Sequence, residues 1–333
     1  MLIFLYEFVT GGGAFSAGLP LGGSLLREGR AMLAALVEDF AQLNGTRIEV
    51  LRDARLRDFA LPAAVVHDAH DAHDHQQQFE QMAGSSDWTL VVAPEMGGLL
   101  LGCCRQVERC GGRLLGPDSA FVKIASDKRA THRALRQADV AVPFQRLLRP
   151  GESPPREFRY PAVIKPHDGA GSFHVRLVQS CDDEAALLDP QSWRCLQSYC
   201  PGIPASIAVL TGPAGFRTLP ACHQRLSEDG CFCYAGGELP LRQALELRAS
   251  EIARQVVRAL PETTGYFGID VVLGDRHDGS RDVIIEVNPR ITTSYIGLRQ
   301  LATCNLAEAM LAFATGQPYE LSFASKRVEF VAE

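Results

Sequence analysis

Hydrophobic and polar positions in the first third of the chain switch between strand-like and helix-like patterns. Residues Leu2 to Val9 form an apolar run typical of a buried strand. Apolar residues then recur at helical spacing up to the turn-forming pair Asn44-Gly45, namely Leu25, Met32, Leu33, Leu36, Val37, Phe40 and Leu43. Further strand-like runs cover Arg47 to Leu51, Ala63 to His67 and Trp88 to Ala93. This alternation predicts a small α/β unit with a parallel sheet.

Two glycine-rich segments of this unit follow predicted strands. Thr10 to Ser16 half-matches a dinucleotide-binding fingerprint, with Ser16 where the third glycine belongs. Ala93 to Gly98 follows the last strand. Loops at the carboxyl ends of parallel strands bind ligands, so we expect a substrate-binding edge that includes Gly12 and Glu95. Glu95 could hold an amine, or it could open a helix, whose positive end favours an acid.

The second half of the chain contains two apolar runs separated by a turn-rich segment. The runs are Ile269 to Leu273 and Ile284 to Val287, and the segment between them includes Gly274 to Ser280. Turn residues between two strand-like runs predict an antiparallel hairpin.

Acidic and amide side chains in this hairpin form a candidate metal site. Because strand side chains alternate between faces, Glu286 and Asn288 project together, and a register that pairs Asp270 with Glu286 adds a second carboxylate. Oxygen ligands in an incomplete cage suit Mg²⁺ that is also held by the phosphates of a nucleotide. Arg290, just past the strand, can grip phosphate or carboxylate with two parallel hydrogen bonds.

Two lysines and a flexible segment precede the hairpin. Lys128 follows an aspartate, and Lys165 follows the buried strand-like run Pro161 to Ile164, where a polar residue needs a partner. Taken alone, either lysine could be an ordinary surface residue. The next loop offers backbone N–H groups that could close over phosphates, at Gly169, Ala170, Gly171 and Ser172. No P-loop motif occurs in the chain.

In this order and spacing, the segments resemble the catalytic domain of the ATP-grasp superfamily over roughly residues 118 to 320. The resemblance implies an α/β chain with an α+β ATP-grasp fold, in which ATP lies between antiparallel sheets. It implies an N-terminal parallel pre-ATP-grasp domain over 1–117, a lid subdomain over 118–190 and a C-terminal subdomain with the metal site over 191–333. The strand from Leu196 to Gly202 matches the adenine-holding hinge, although the acid that often binds the ribose is missing.

The superfamily resemblance also implies roles for the polar residues. ATP would phosphorylate a carboxylate, and a nucleophile would attack the acyl phosphate. The expected ATP-binding residues outside the glycine-rich loop are Lys128, Lys165, Gln197, Ser198 and Tyr199. Two Mg²⁺ or Mn²⁺ ions would bind to Asp270, Glu286 and Asn288, and the expected catalytic residues are Lys165 and Arg290.

At subfamily level, Asn288 to Leu298 and Ala93-Pro94-Glu95 are similar to segments of the tyramine–glutamate ligase group of methanofuran and methylofuran biosynthesis. That similarity implies formation of γ-glutamyltyramine from glutamate, tyramine and ATP. The acceptor pocket would then be lined by Thr292, Thr293, Ser294 and Tyr295. The same residues could instead form the N-cap of a helix.

Composition narrows the alternatives. A chain of 333 residues can form two or three domains, and a net charge of −6 without a basic run argues against a nucleic-acid partner. The first apolar run is too short to cross a bilayer and has no basic leader, so we expect a cytoplasmic protein without a membrane partner. The expected partners are a small carboxylate and a small amine, and a homodimer is compatible with the sequence. A ligase for another acid–amine pair and a non-catalytic nucleotide-binding regulator are the alternatives.

The histidines and cysteines give only weak evidence for metal binding. His67 to His75 alternates with aspartates and could bind zinc or nickel, but no apolar face would fix its geometry, so we expect a solvated loop. The ten cysteines lack zinc-site spacing and are expected to be reduced and mostly buried.

Overall fold

A computed structural model of the protein describes residues 1–18, 21–167, 174–183 and 191–331. Its strands form a parallel N-terminal sheet and two antiparallel sheets farther along the chain. In these described ranges no helix is long and apolar enough to cross a membrane.

The N-terminal sheet is parallel, as the alternating pattern predicts. Its strands lie in the order β3-β2-β1-β4, where β1 is Leu2–Glu7, β2 Arg47–Asp53, β3 Val65–Ala69 and β4 Trp88–Val92. The helices are α1 Ala14–Ala17, α2 Gly23–Ala41, α3 Ala72–Ser85 and α4 Leu99–Arg109. The predicted apolar face of α2 is buried, with Leu33, Leu36 and Phe40 at most 1% exposed.

The His67 to His75 segment is not the solvated loop that we expected. Strand β3 continues to Ala69, and α3 begins at Ala72 because the Asp71 carboxylate accepts hydrogen bonds from the backbone N–H groups of His73 and Asp74, each at 2.8 Å. Buried residues of α3 hold it against the sheet. No group of three metal-binding side chains is found among the described residues.

The second sheet is antiparallel, with strands in the order β5-β8-β6-β7. Its strands are β5 Gln145–Leu148, β6 Ala162–Pro166, β7 Arg176–Val178 and β8 Arg194–Ser198, and it follows helices α5 Ser119–Ala125 and α6 Lys128–Gln137. One face forms a small apolar core that includes Ile164 and Leu196. Side chains alternate along strands, so Lys165 and Gln197 lie on the opposite face.

This sheet corrects the predicted subdomain boundary at residue 190. Strand β8 pairs with β5 and β6, so it belongs to the lid rather than to the C-terminal subdomain. The sequence pattern identified it as the strand before a hinge but could not show its partners. We therefore place the boundary after Ser198.

The C-terminal sheet has the strand order β14-β13-β9-β11-β12-β15, with β10 paired to β9. The strands are β9 Ile203–Gly212, β10 Gly215–Thr218, β11 Cys222–Leu226, β12 Tyr234–Leu239, β13 Gly265–Leu273, β14 Val283–Asn288 and β15 Val328–Phe330. The helices are α7 Gln243–Ala259, α8 Ser294–Leu301 and α9 Leu306–Thr315. Strands β13 and β14 form the predicted hairpin, and the register pairs Asp270 with Glu286.

The N-terminal and C-terminal sheets are joined by a shared core. Helix α2 contributes Leu36 and Phe40 to a buried cluster that also contains Leu298 of α8 and Met310 of α9. This packing fixes the carboxyl edge of the parallel sheet relative to the end of β14, where the candidate site residues are concentrated.

Candidate active site

Two buried lysines lie at the junction of α6, β6 and β14. Lys128 is 9% exposed and Lys165 is 6% exposed. The ammonium of Lys128 donates a 2.7 Å hydrogen bond to Oε1 of Glu286. Burial would raise the pKa of Glu286, but the charges of Lys128 and Lys165 outweigh it and hold that pKa below its usual range. Glu286 is therefore an ionised carboxylate between two lysines.

The lysines differ in their electrostatic surroundings. Burial alone would lower the pKa of Lys128, but the adjacent carboxylate of Glu286 outweighs burial and raises it. Burial lowers the pKa of Lys165, and the charge of Lys128 lowers it further, while Glu286 opposes both effects. The charged form of Lys165 is thus less well balanced than that of Lys128, and an anionic ligand would stabilise it.

Asp270 and Asn288 form the second part of this cluster. Nδ2 of Asn288 donates to Oδ2 of Asp270 at 2.9 Å, and Nε2 of Gln224 donates to Oδ1 at 3.0 Å. Burial and the neighbouring Glu286 charge raise the pKa of Asp270 to about 6. Sequence reasoning missed Gln224, because only the pairing of β11 with β9 brings it to this face and no local pattern shows that pairing.

Arg290 is held by Glu95 from the N-terminal domain. Nε and Nη2 of Arg290 donate to Oε1 and Oε2 of Glu95 at 2.8 and 3.1 Å. Both carboxylate oxygens are therefore engaged, and Glu95 is not free to hold an amine as predicted. The helix-opening alternative is observed in part, since Glu95 is the N-cap residue of the short 3₁₀ helix Met96–Gly98, but its side chain makes no capping bond.

Gly12 lies at the same edge of the parallel sheet, after β1. Its φ of 96° falls in the left-handed region that favours glycine, and a Cβ there would lie 3.2 Å from His75 Cδ2. Nε2 of His75 is 2.8 Å from the hydroxyl of Tyr6. Nearby, the buried carboxylate of Glu7 accepts hydrogen bonds from the N–H and hydroxyl of Thr10, each at 2.7 Å, and fixes the start of this loop.

The predicted acceptor residues are largely buried. The hydroxyls of Thr292 and Ser294 are 2.7 Å apart, and both lie near the hydroxyl of Tyr266, at 3.0 and 3.3 Å. Thr293 occupies the N-cap position of α8, as the capping alternative predicts, but its side chain makes no capping bond. The side chain of Thr293 lies beside that of Tyr234.

Tyr295 does not offer a ring for stacking, contrary to the prediction. It is 0% exposed, and its hydroxyl donates a 2.6 Å hydrogen bond to Oδ2 of Asp39 on α2. Arg299 contacts the same carboxylate, with Nη2 2.7 Å from Oδ1. Tyr295 therefore joins the N-terminal domain to α8 and serves the packing of the two domains.

The hinge prediction has a mixed outcome. Gln197 lines a cleft together with Lys128, Lys165 and Glu286. The backbone N–H groups of Ser198 and Tyr199 donate within the lid, to the carbonyls of residues 144 and 161 at 2.9 and 3.0 Å, so they are not available to a nucleotide in this conformation. Tyr199 is 39% exposed and stacks against Phe232. The loop residues Gly169, Ala170, Gly171 and Ser172 lie outside the described residues.

Comparison with known families decides the assignment. Residues 125–294 match the ATP-grasp domain, and residues 46–122 match the pre ATP-grasp 3 domain. The chain belongs to the ATP-grasp family. The predicted fold class is confirmed, and so is the predicted enzyme class: the protein is an ATP-dependent ligase that forms carbon–nitrogen bonds.

The sequence matches to individual relatives cover nearly the whole chain. Two proteins named tyramine–L-glutamate ligase, from Methanocaldococcus jannaschii and Methanocaldococcus fervens, are each 25% identical to it. The matches cover 93% and 99% of this chain and 89% and 99% of the relatives.

Solved structures share the fold. An ATP-grasp superfamily protein from Archaeoglobus fulgidus is 21% identical, with a TM-score of 0.73 over 99% of this chain and 98% of that chain. An N5-carboxyaminoimidazole ribonucleotide synthetase in complex with ADP is 18% identical, with a TM-score of 0.72 over 99% of this chain and 81% of that chain.

Proposed function

We propose that the ligase joins L-glutamate to tyramine through an acyl-phosphate intermediate and forms γ-glutamyltyramine for a methylofuran-type cofactor. The substrate assignment is supported by the two full-length relatives named tyramine–L-glutamate ligase. The chemistry is supported above all by one observation: the pairing of Asp270 with Glu286 beside two buried lysines. A protein that only bound nucleotide would not need both carboxylates there.

The nucleotide phosphates would bind to Lys128 and Lys165. The ammonium of Lys128 is bonded to Glu286, whereas burial disfavours the charged form of Lys165, so an anion beside Lys165 would be stabilising. Phosphate oxygens would supply such an anion. Gln197 is the hinge residue in this cleft that remains placed to meet adenine.

The donor set of Asp270, Glu286 and Asn288 fits Mg²⁺ or Mn²⁺. Two carboxylates and an amide supply hard oxygen ligands, and a cation beside Asp270 would offset the burial and the Glu286 charge that raise its pKa. These three residues would hold two ions with the help of the phosphates. When bound, the ions would neutralise charge on the phosphates.

The reaction would proceed in two steps at this cluster. First, a carboxylate oxygen of glutamate attacks the γ-phosphorus of ATP, the bond from that phosphorus to the β–γ bridging oxygen breaks, and ADP leaves. Next, the neutral amine attacks the acyl carbon and inorganic phosphate departs, taking up the proton that the nitrogen loses. Lys165 and Arg290 would stabilise the charge on the transferred phosphoryl group without a covalent protein nucleophile.

The test is amine-dependent release of ADP. The purified protein is supplied with Mg-ATP and L-glutamate, with and without tyramine, and the product is analysed by mass spectrometry. We expect ADP and a glutamyl-tyramine mass in equal amounts when both substrates are present, and neither from a Lys165→Met variant. Release of AMP, or amide formation only with a different acid–amine pair, would contradict the proposed substrates or chemistry.

A second candidate is a ligase for another acid and amine. One observation favours it: Thr292, Ser294 and Tyr295, which the resemblance places in the acceptor pocket, are at most 8% exposed and bonded to protein groups. Other amines are tested with glutamate, and other amino acids with tyramine. A kcat/KM value higher for another pair than for glutamate and tyramine would favour this second candidate.

A further inference from the structure

The contact between Arg290 and Glu95 joins two domains at the candidate active site. Arg290 follows β14, whereas Glu95 follows β4, 195 residues earlier in the chain. The side chains are 15% and 4% exposed, so the ion pair is well shielded from water. A shielded charge pair of this kind is stable only when its geometry is good, and the two parallel hydrogen bonds meet that condition.

Within the part of the chain that the structure describes, the hydrogen bonds of Arg290 use only part of the guanidinium. Its five N–H donors lie on Nε, Nη1 and Nη2. Nε and one N–H of Nη2 are used by Glu95, and one N–H of Nη1 is used by the backbone carbonyl of Ile291 at 3.2 Å. Among the described residues no other acceptor is found for this group, so one N–H remains on Nη1 and one on Nη2, and two guanidinium donors suit a carboxylate or a phosphate.

We propose that Glu95 is a positioning residue for the ligase: it fixes Arg290 so that these two remaining donors can bind the acyl phosphate as it forms. This proposal rests on the proposed function. A flexible arginine would lose side-chain entropy each time it bound the anion, whereas an arginine already held on its other edge loses little. Glu95 would then act indirectly in phosphoryl and acyl transfer, instead of holding the amine as the sequence predicted.

Four variants test the proposal: Glu95→Gln, Glu95→Asp, Arg290→Lys and the double variant of Glu95→Gln with Arg290→Lys. We expect Glu95→Gln to lower kcat on the order of 10 to 100-fold, because a misplaced catalytic group costs about that much. The KM for ATP should change by less than about threefold, since Lys128 and Lys165 are untouched. In the Arg290→Lys background, Glu95→Gln should add less than about threefold, because the residue that it positions is already gone. Glu95→Asp, which keeps the charge, should recover part of the lost kcat.

The matched control is Asp58→Asn. Asp58 also forms a bidentate pair with an arginine, Arg30, at 3.1 to 3.2 Å, but it is exposed and lies outside the candidate site. This control should keep wild-type kcat. Melting temperatures of all variants distinguish loss of folding from loss of positioning, and Glu95→Asp supplies a folded variant if Glu95→Gln is unstable.

Two results would overturn the proposal. If the effects of Glu95→Gln and Arg290→Lys multiply, the residues act independently. If Glu95→Gln raises only the KM for the amine, Glu95 binds the amine after all. Turnover of the wild-type enzyme distinguishes these failures from a wrong substrate assignment. If the wild type shows no turnover with glutamate and tyramine, the proposed substrates are refuted. The same variants are then measured with the acid–amine pair that the wild type does join.

Discussion

Asp270→Asn should stabilise the metal-free protein while abolishing ligation. Burial and Glu286 raise the pKa of Asp270 from 3.8 to about 6, so ionising Asp270 in the folded protein costs about 3 kcal/mol more than in the unfolded chain. Asp270 is only half-buried, and contact with water reduces this cost. We therefore expect the neutral asparagine to raise the free energy of unfolding by about 1.5 to 3 kcal/mol at pH 7.5.

The sign of the pH dependence follows from the raised pKa. Well below the unfolded pKa of 3.8, Asp270 is protonated in both the folded and the unfolded states, so wild type and variant should have equal pH-dependent terms. Between 3.8 and about 6, the unfolded wild type loses the proton while the folded protein still holds it, so the wild type loses stability that the variant keeps. The advantage of the variant should therefore grow between about pH 4 and pH 6 and then stay level.

Urea unfolding in EDTA at pH 4.5 and 7.5 measures this difference, and ADP release measures activity. The control is Asp282→Asn, because the Asp282 carboxylate pairs with Arg248 and is 7% exposed. That variant should be destabilised at pH 7.5. An Asp270→Asn protein that is less stable than wild type at pH 7.5, or that retains near-normal turnover, would refute the reasoning.

Three further variants test neighbouring claims. Glu286→Gln should lower turnover by at least about 10³-fold in the ADP assay. It should also lower the free energy of unfolding by about 2 to 4 kcal/mol, because Lys128 loses its neutralising carboxylate. Turnover within tenfold of wild type would show that Glu286 is not part of the active site. Lys165→Met should weaken ATP binding about tenfold or more in calorimetric titrations, and unchanged affinity would contradict its contact with phosphate. Tyr295→Phe should lower the free energy of unfolding by about 1.5 to 3 kcal/mol, because the hydrogen bond to Asp39 is lost. Its kcat/KM should stay within about threefold of wild type. Loss of activity without loss of stability would instead support a role for Tyr295 in the acceptor site.

The β13–β14 hairpin shows which features of the site follow from local sequence. Alternating apolar residues and a turn-rich segment specify strand pairing over short distances, so the pairing of Asp270 with Glu286 could be predicted. The burial of Lys165 could be predicted in the same way, because the apolar residues before it indicate a buried strand. A polar side chain at the end of that strand is then buried as well.

The roles of Glu95 and Tyr295 could not be predicted in this way. Their partners, Arg290 and Asp39, lie 195 and 256 residues away, and the contacts arise from the packing of one domain on another. Local patterns showed a polar residue at each position but not the group that it meets. The start of α3 was missed for a different reason: the capping role of Asp71 was hidden in a run of histidines and aspartates that resembled a metal-binding tract.

The acyl-phosphate step at the Asp270–Glu286 cluster is the central claim, and transfer of an oxygen isotope tests it most directly. L-glutamate with ¹⁸O in its carboxylates is incubated with Mg-ATP and tyramine, and the released phosphate is analysed by mass spectrometry. We predict one ¹⁸O atom in the phosphate for each amide formed, because the carboxylate oxygen that attacks ATP leaves with the phosphoryl group. Amide formation with unlabelled phosphate would contradict an acyl-phosphate intermediate.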